Sequence, residues 1–123
     1  MDNGTIKART IIKETERVTG TVGKIKSKTR LREIVVPRQL AMYLIRKYCK
    51  MSLAQIGTLF TPPDGKPKDH ATVLHSCREV SNMIETGWIF NGRNIAEIEM
   101  QVMAAVETRV NPQHFIRLYR YSY

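Results

Sequence analysis

Residues 52–84, SLAQIGTLFTPPDGKPKDHATVLHSCREVSNMI, decide the fold of this 123-residue chain. A short amphipathic helix is predicted at the start, with Ser52 as its N-cap. Its apolar stripe consists of Leu53, Ile56, Leu59 and Phe60. Three prolines and a glycine within residues 61–68 predict a surface loop. A second helix is predicted to begin after the N-cap Asp69 and to end at the C-cap Gly87.

The second helix has two distinct faces. Its buried face is predicted from apolar positions at helical spacing: Val73, Cys77, Val80 and Ile84. The opposite face carries Ala71, His75 and Arg78, while His70 and Thr72 occupy the first turn. Short polar side chains in a first turn can reach base edges in the major groove, so the pair predicts a helix-turn-helix reader of duplex DNA. Gly57 in the first helix predicts that another helix packs closely there.

A central helix is predicted upstream, in PRQLAMYLIRKYCK (37–50), beginning at Pro37 because a first turn needs no N–H at that position. Its core face is predicted as Leu40, Ala41, Leu44, Ile45, Tyr48 and Cys49. A mostly basic outer ridge is predicted as Arg38, Met42, Arg46 and Lys50. Residues 21–36 are predicted to form an extended arm, because basic residues alternate from Lys24 to Arg32.

The whole chain, residues 1–123, is interpreted as a single domain. Its predicted parts are an N-terminal helix within 1–20, the basic arm 21–36, a helix-turn-helix core 37–87, and a C-terminal helix and aromatic tail within 88–123. The last helix is predicted to follow a link, GWIFNGRN, and to end at Asn111-Pro112. Its inward positions are predicted as Ile95, Ile98, Val102, Ala105, Val106 and Val110.

The net charge of +9 is concentrated in one stretch. Residues 24–50 carry nine Lys or Arg and one Glu, a net +8, which favours a polyanionic partner and nucleic acid over an anionic membrane. No apolar run approaches the roughly 18 residues of a membrane span, and the N-terminus lacks a secretion signal. Cys49 and Cys77 are interpreted as buried free thiols of a reducing cytoplasm. No catalytic, metal-ligating or cofactor-binding pattern is apparent, so we expect neither an enzyme nor a small-molecule substrate.

Three blocks, PRQLAMYL, SLAQIG and DHATVLHSCR, carry a specific resemblance over residues 22–84. This stretch resembles the C-terminal DNA-binding domain of the bacterial replication initiator DnaA. The resemblance implies an all-α domain of about five to six helices with a Trp-repressor-like helix-turn-helix, extended here by a C-terminal helix and tail. It also implies binding of duplex DNA at short, asymmetric nonamer boxes.

The resemblance also implies roles for individual positions. Asp69, His70 and Thr72 match residues that read bases in the major groove, and Arg30 matches an arginine that enters the minor groove. The implied phosphate contacts are Arg32, Arg38, Arg46 and the helix start Ser52, Leu53 and Ala54, with Lys28 on the same basic arm.

Some residues depart from the family pattern. Ala71 replaces the first threonine of the usual DHTT motif, and its methyl group can still touch a thymine methyl. Ala54 replaces a common proline, and Glu33 places a negative charge in the arm. The loop 61–68 is about five residues longer than the family's turn; either Lys66 and Lys68 grip backbone phosphate or the loop is a tolerated insertion. The GxxxxGK[ST] loop of the initiator's ATPase module is not found, so ATPase activity is not expected.

Two functions are compatible with these patterns. The first is a sequence-specific duplex-DNA binder of the bacterial cytoplasm or nucleoid, from a host or a mobile element such as a phage. It would regulate replication initiation or transcription by occupying initiator-like boxes. The second is an adaptor that docks a replication protein, or a second copy of itself, through residues 88–123 and binds DNA weakly and without specificity.

Overall fold

The computed structural model describes residues 3–110, and side chains from residue 4 onward. This part of the chain contains five helices: α1 (Asn3–Thr19), α2 (Arg32–Cys49), α3 (Leu53–Thr58), α4 (His70–Thr86) and α5 (Ile95–Val110). A hairpin of two-residue strands, β1 (Ile89–Phe90) and β2 (Arg93–Asn94), separates α4 from α5. The prediction of an all-α helix-turn-helix domain with a further C-terminal helix is confirmed.

Helix α2 lies at the centre of the core. It packs against α1 and α4, while α1 also packs against α5, and α3 packs against α4. Leu40, Ala41, Leu44 and Ile45 are buried as predicted. The predicted outer ridge is wrong, because Met42 is fully buried and Arg38 is only 7% exposed. Neighbouring helices cover α2 on more than one side, so its buried face is wider than the single stripe that helical spacing indicates.

The start of α2 also differs from the prediction, since the helix begins at Arg32 and contains Pro37 in its second turn. The backbone N–H groups of Ile34 and Val35 donate to the carbonyl of Leu31, at 2.9 and 2.8 Å, and so form the first turn. Proline inside a helix costs about 3 kcal/mol. Ile34 and Val36 are both buried, and burial contributes about 1.5–3 kcal/mol for each side chain, which offsets that cost.

The basic arm forms successive turns rather than the predicted extended segment. Gly23 has a positive φ of 75°, and backbone bonds join Lys24 N to Thr21 O (2.9 Å) and Ser27 N to Lys24 O (3.0 Å). Ile25 is fully buried in the core. The alternating charges suggested an extended chain, but one buried isoleucine and local backbone hydrogen bonds fold the arm back onto the body.

The predicted link before α5 contains the hairpin. Asn91 and Gly92, with φ of 51° and 78°, form its two-residue turn, which is a conformation that Asn-Gly favours. The Asn-Gly pair is a turn signal that is visible in the sequence. In α5, Ile95, Ile98, Val102 and Val106 are buried as predicted, whereas Val110 is 43% exposed. The predicted end at Asn111-Pro112 and the aromatic tail lie outside the described residues.

Both cysteines are free thiols. Cys49 and Cys77 are half-buried, and burial raises the pKa of each thiol. Tyr48, predicted on the core face, is 37% exposed. Within residues 3–110, none of the helices combines the length and the apolar character needed to cross a bilayer.

Candidate nucleic-acid interface

The first helix of the predicted pair begins at a reciprocal cap. Ser52 Oγ accepts a hydrogen bond from Gln55 N at 3.1 Å, and Gln55 Oε1 accepts one from Ser52 N at 2.9 Å. Ser52 is therefore the N-cap, as predicted, and Gln55 completes a capping box that the spacing Ser-x-x-Gln could have revealed. Ser52 and Ala54 are exposed and Leu53 is half-buried, so the positive end of α3 faces solvent.

The first turn of α4 is exposed at the predicted reading positions. Asp69 Oδ1 accepts a hydrogen bond from Thr72 N at 2.8 Å, which confirms Asp69 as the N-cap. This bond holds the pKa of the Asp69 carboxyl below its usual value. The side chains of His70, Ala71 and Thr72 are exposed as well. The cap therefore orders the turn while leaving its side chains accessible.

A direct backbone contact sets the distance between α3 and the start of α4. Lys68 N donates to Gly57 O at 3.2 Å. A Cβ atom at position 57 would lie 1.9 Å from Lys68 O, so only glycine fits. The close approach predicted from Gly57 is present, but its nearest partner is the loop backbone rather than a helix; Val73 of α4 comes next, at 3.7 Å.

Arg38 organises the basic arm from beneath. Its Nε donates to Ile25 O at 2.8 Å, and its Nη2 donates to Ser27 O at 2.7 Å and Thr29 O at 3.1 Å. Burial lowers the pKa of Arg38. The sequence places Arg38 on an exposed phosphate-contacting ridge, whereas the structure buries it because its guanidinium bonds the carbonyls of the folded arm.

The arm, the loop and α4 meet around one concavity of about 470 Å³. Its lining comprises Lys28, Thr29, Arg30, Arg38, Pro62, Lys66, Lys68 and Thr72. Lys28 Nζ joins the arm to the loop through the Asp64 carbonyl (3.4 Å) and Asp64 Oδ1 (3.6 Å). The structure thus brings Arg30, Lys66, Lys68 and Thr72 together around one concavity. From the sequence, each of them is predicted as a separate DNA contact.

The other predicted contacts lie outside this concavity. Arg46 is exposed on α2, and its Nη1 donates to Met51 O at 3.1 Å, immediately before the Ser52 cap. The Arg32 guanidinium lies over the Trp88 ring, 5.1 Å from its centroid. Arg46 and the start of α3 therefore form a second group of predicted phosphate contacts, and Arg32 lies beside the hairpin.

Over the described part of the chain, no three His, Cys, Asp or Glu side chains are grouped so that they could hold a metal ion.

Comparisons with known proteins identify the family. The model of the bacterial dnaA protein helix-turn-helix matches residues 8–80. The chromosomal replication initiator protein DnaA of Flavobacterium psychrophilum is 47% identical over 62 residues, which are 50% of this chain and 12% of that protein. Its counterpart in Bacteroides thetaiotaomicron is 41% identical over 75 residues, which are 61% of this chain and 15% of that protein.

A third initiator, from Bdellovibrio bacteriovorus, is 48% identical over 59 residues, which are 48% of this chain and 12% of that protein. No solved structure matches the chain. The aligned segment spans only about an eighth of these relatives, but the family model covers more than half of the chain and includes α2, α3 and the first part of α4. The chain therefore belongs to the family of the bacterial DnaA helix-turn-helix domain.

Proposed function

We propose that this chain binds duplex DNA sequence-specifically, at boxes like those of the replication initiator, and so regulates replication initiation or transcription in the bacterial cytoplasm or nucleoid. One observation carries the proposal. Thr72, in the exposed first turn of α4, lines the same concavity as cations of the basic arm, and this supports assigning base reading and phosphate binding to neighbouring surfaces.

The proposed base contacts lie in the major groove and the minor groove of the duplex. The side chains of Asp69, His70, Ala71 and Thr72 enter the major groove, where Ala71 can contact a thymine methyl. Arg30 enters the adjacent minor groove, which attracts guanidinium where it is narrow. Arg38 supports this arrangement from inside the protein, because its three hydrogen bonds hold residues 25–29 of the arm in place.

Backbone contacts are assigned to a separate set of groups. Arg46 and the N-terminus of α3 bind phosphate where α2 meets α3, Lys28 binds it at the arm, and Arg32 binds it at the start of α2. These contacts position the protein without selecting a sequence.

The test compares binding to an initiator-box duplex and to a scrambled duplex at two salt concentrations, by fluorescence anisotropy. A box preference that persists at the higher salt is expected, because base contacts do not depend on counterion release as phosphate contacts do. With about six phosphates neutralised, log K falls with log[salt] at a slope near −5. Equal affinity for both duplexes would instead indicate the weak, unspecific binding of an adaptor.

Two variants separate reading from backbone contact. We expect His70→Ala to cost about 1–3 kcal/mol on the box and to relax preference at one base position. We expect Arg46→Ala to weaken binding to both duplexes and to reduce the magnitude of the salt slope by roughly one. If the two variants have the same effect on both duplexes, α4 is not the reading helix.

A further inference from the structure

The concavity between the arm and the loop 61–68 concentrates positive charge. Five of its lining residues are cations, and none is a carboxylate: Lys28, Arg30, Arg38, Lys66 and Lys68 carry the charge. Asp64 is not among the lining residues; its Oδ1 lies 3.6 Å from Lys28 Nζ. The concavity therefore carries more positive charge than the single Lys28–Asp64 ion pair neutralises.

Three contacts link the segments that line the concavity. The bond from Lys68 N to Gly57 O fixes the end of the loop against α3. The Lys28–Asp64 pair joins the loop to the arm, and Arg38 fixes the arm from below. Pro62, at the start of the loop, is buried. The loop lysines are thus attached to a backbone that is packed on both sides, unlike charges on a free surface loop.

The free protein is electrostatically unfavourable at this point. Burial and the neighbouring charges of Arg38, Arg30 and Lys28 together lower the pKa of Lys68. Like charges in proximity repel, and an anion placed among them relieves the repulsion. An arrangement that folding disfavours is explained if a ligand compensates for it.

The residues around the concavity indicate which anion fits it. Thr72, from the first turn of α4, lines the same surface as Lys66 and Lys68. We propose that the concavity binds one phosphate of the DNA backbone next to the bases that α4 reads, so that the loop 61–68 is part of the DNA-binding surface. This inference rests on the proposed function, and it decides between the two interpretations of the longer loop in favour of phosphate binding.

The first experiment measures the salt slope of binding to the box duplex. The double variant Lys66→Gln/Lys68→Gln removes both loop charges and leaves the backbone bond of Lys68 available. Lys7→Gln/Lys13→Gln is a matched control, because both lysines lie on α1 and neither lines this concavity. We expect the loop variant to flatten the slope by about 0.9, the value for one phosphate, and the control to leave it unchanged. Thermal unfolding of each variant checks that the fold is intact.

The second experiment locates the phosphate. Single methylphosphonates, which are neutral, replace the backbone phosphates of the box duplex one at a time. At one position we expect the substitution to weaken wild-type binding at least tenfold and binding by the loop variant less than twofold.

The outcomes separate this inference from the proposed function. Equal losses for wild type and loop variant at every position, or equal slopes for the loop variant and the control, would overturn the phosphate site while the box preference stands. A wild-type protein that shows no preference for the box duplex would overturn the proposed function, and this inference with it.

Discussion

Replacing Arg38 with lysine distinguishes a structural arginine from a phosphate contact. Lysine keeps the positive charge, but its single nitrogen cannot occupy the positions of both Nε and Nη2. The Nζ of lysine also ends one bond short of Nη2, so the two hydrogen bonds from Nη2, to Ser27 O and Thr29 O, are lost. Each charge-assisted bond contributes about 1.5–3 kcal/mol, and water can partly replace those at the exposed end of the arm. We expect Arg38→Lys to lower the free energy of unfolding by about 2–4 kcal/mol.

The same substitution weakens DNA binding without removing a charge. Once residues 27–29 are released, binding must order them again, at a cost of about 1 kcal/mol for each residue. The total of about 3 kcal/mol corresponds to a loss of roughly 100-fold in affinity for the box duplex. The salt slope is expected to stay unchanged, because the number of neutralised phosphates does not change.

Urea unfolding followed by circular dichroism and duplex binding followed by anisotropy measure these two effects. Arg46→Lys is the control for stability, since Arg46 is on the same helix and makes a single bond, to the exposed end of the α2–α3 turn. We expect it to unfold within about 0.5 kcal/mol of wild type. If Arg38→Lys also unfolds within that range and binds the box as wild type does, Arg38 does not hold the arm and the reasoning is wrong.

Two further predictions concern the helix-turn-helix itself. Gly57→Ala places a Cβ atom 1.9 Å from Lys68 O, and we expect a loss of about 2 kcal/mol or more in unfolding free energy despite the higher helix propensity of alanine. Thr58→Ala, exposed on the same helix, is the control, and a neutral or stabilising Gly57→Ala would contradict the close contact. The hydrogen bond from Thr72 N keeps the folded-state pKa of Asp69 below its ordinary value of 3.8. The stability that the ionised Asp69 cap contributes is therefore present above about pH 3.8, and it is lost as pH falls through the folded-state pKa. An NMR titration of the Asp69 carboxyl with a midpoint at or above 3.8 would refute this, while Asp69→Asn should keep the cap and lose this part of the acid dependence.

The local parts of the fold could be predicted because their causes lie within a few neighbouring residues. Ser52, Asp69 and Gly87 cap their helices through groups no more than four positions away, and the spacing of Val73 and Val80 alone identifies the core face of α4. The family was recognisable for the same reason, since its motifs are short and consecutive. The exposed first turn of α4 follows from these local rules.

Contacts between distant segments could not be predicted in this way. Helical spacing predicts Arg38 on an exposed ridge, because spacing describes the faces of one helix and not the segments that cover that helix. Its buried position depends on carbonyls nine to thirteen residues away, which come within reach only when Ile25 enters the core. The start of α2 before Pro37 depends in the same way on burial that packing supplies.

The amino-acid sequence by itself determined the helices apart from the start of α2, the caps of α3 and α4, the charge of the arm and the family to which the chain belongs. Tertiary structure alone decided that the arm folds back on Arg38 and that the loop lysines meet the arm and Thr72 around one concavity. The reason is physical. Caps and amphipathic faces depend on neighbours along the chain, whereas a shared surface depends on which distant segments bury their apolar groups together, and that is settled only when the core packs.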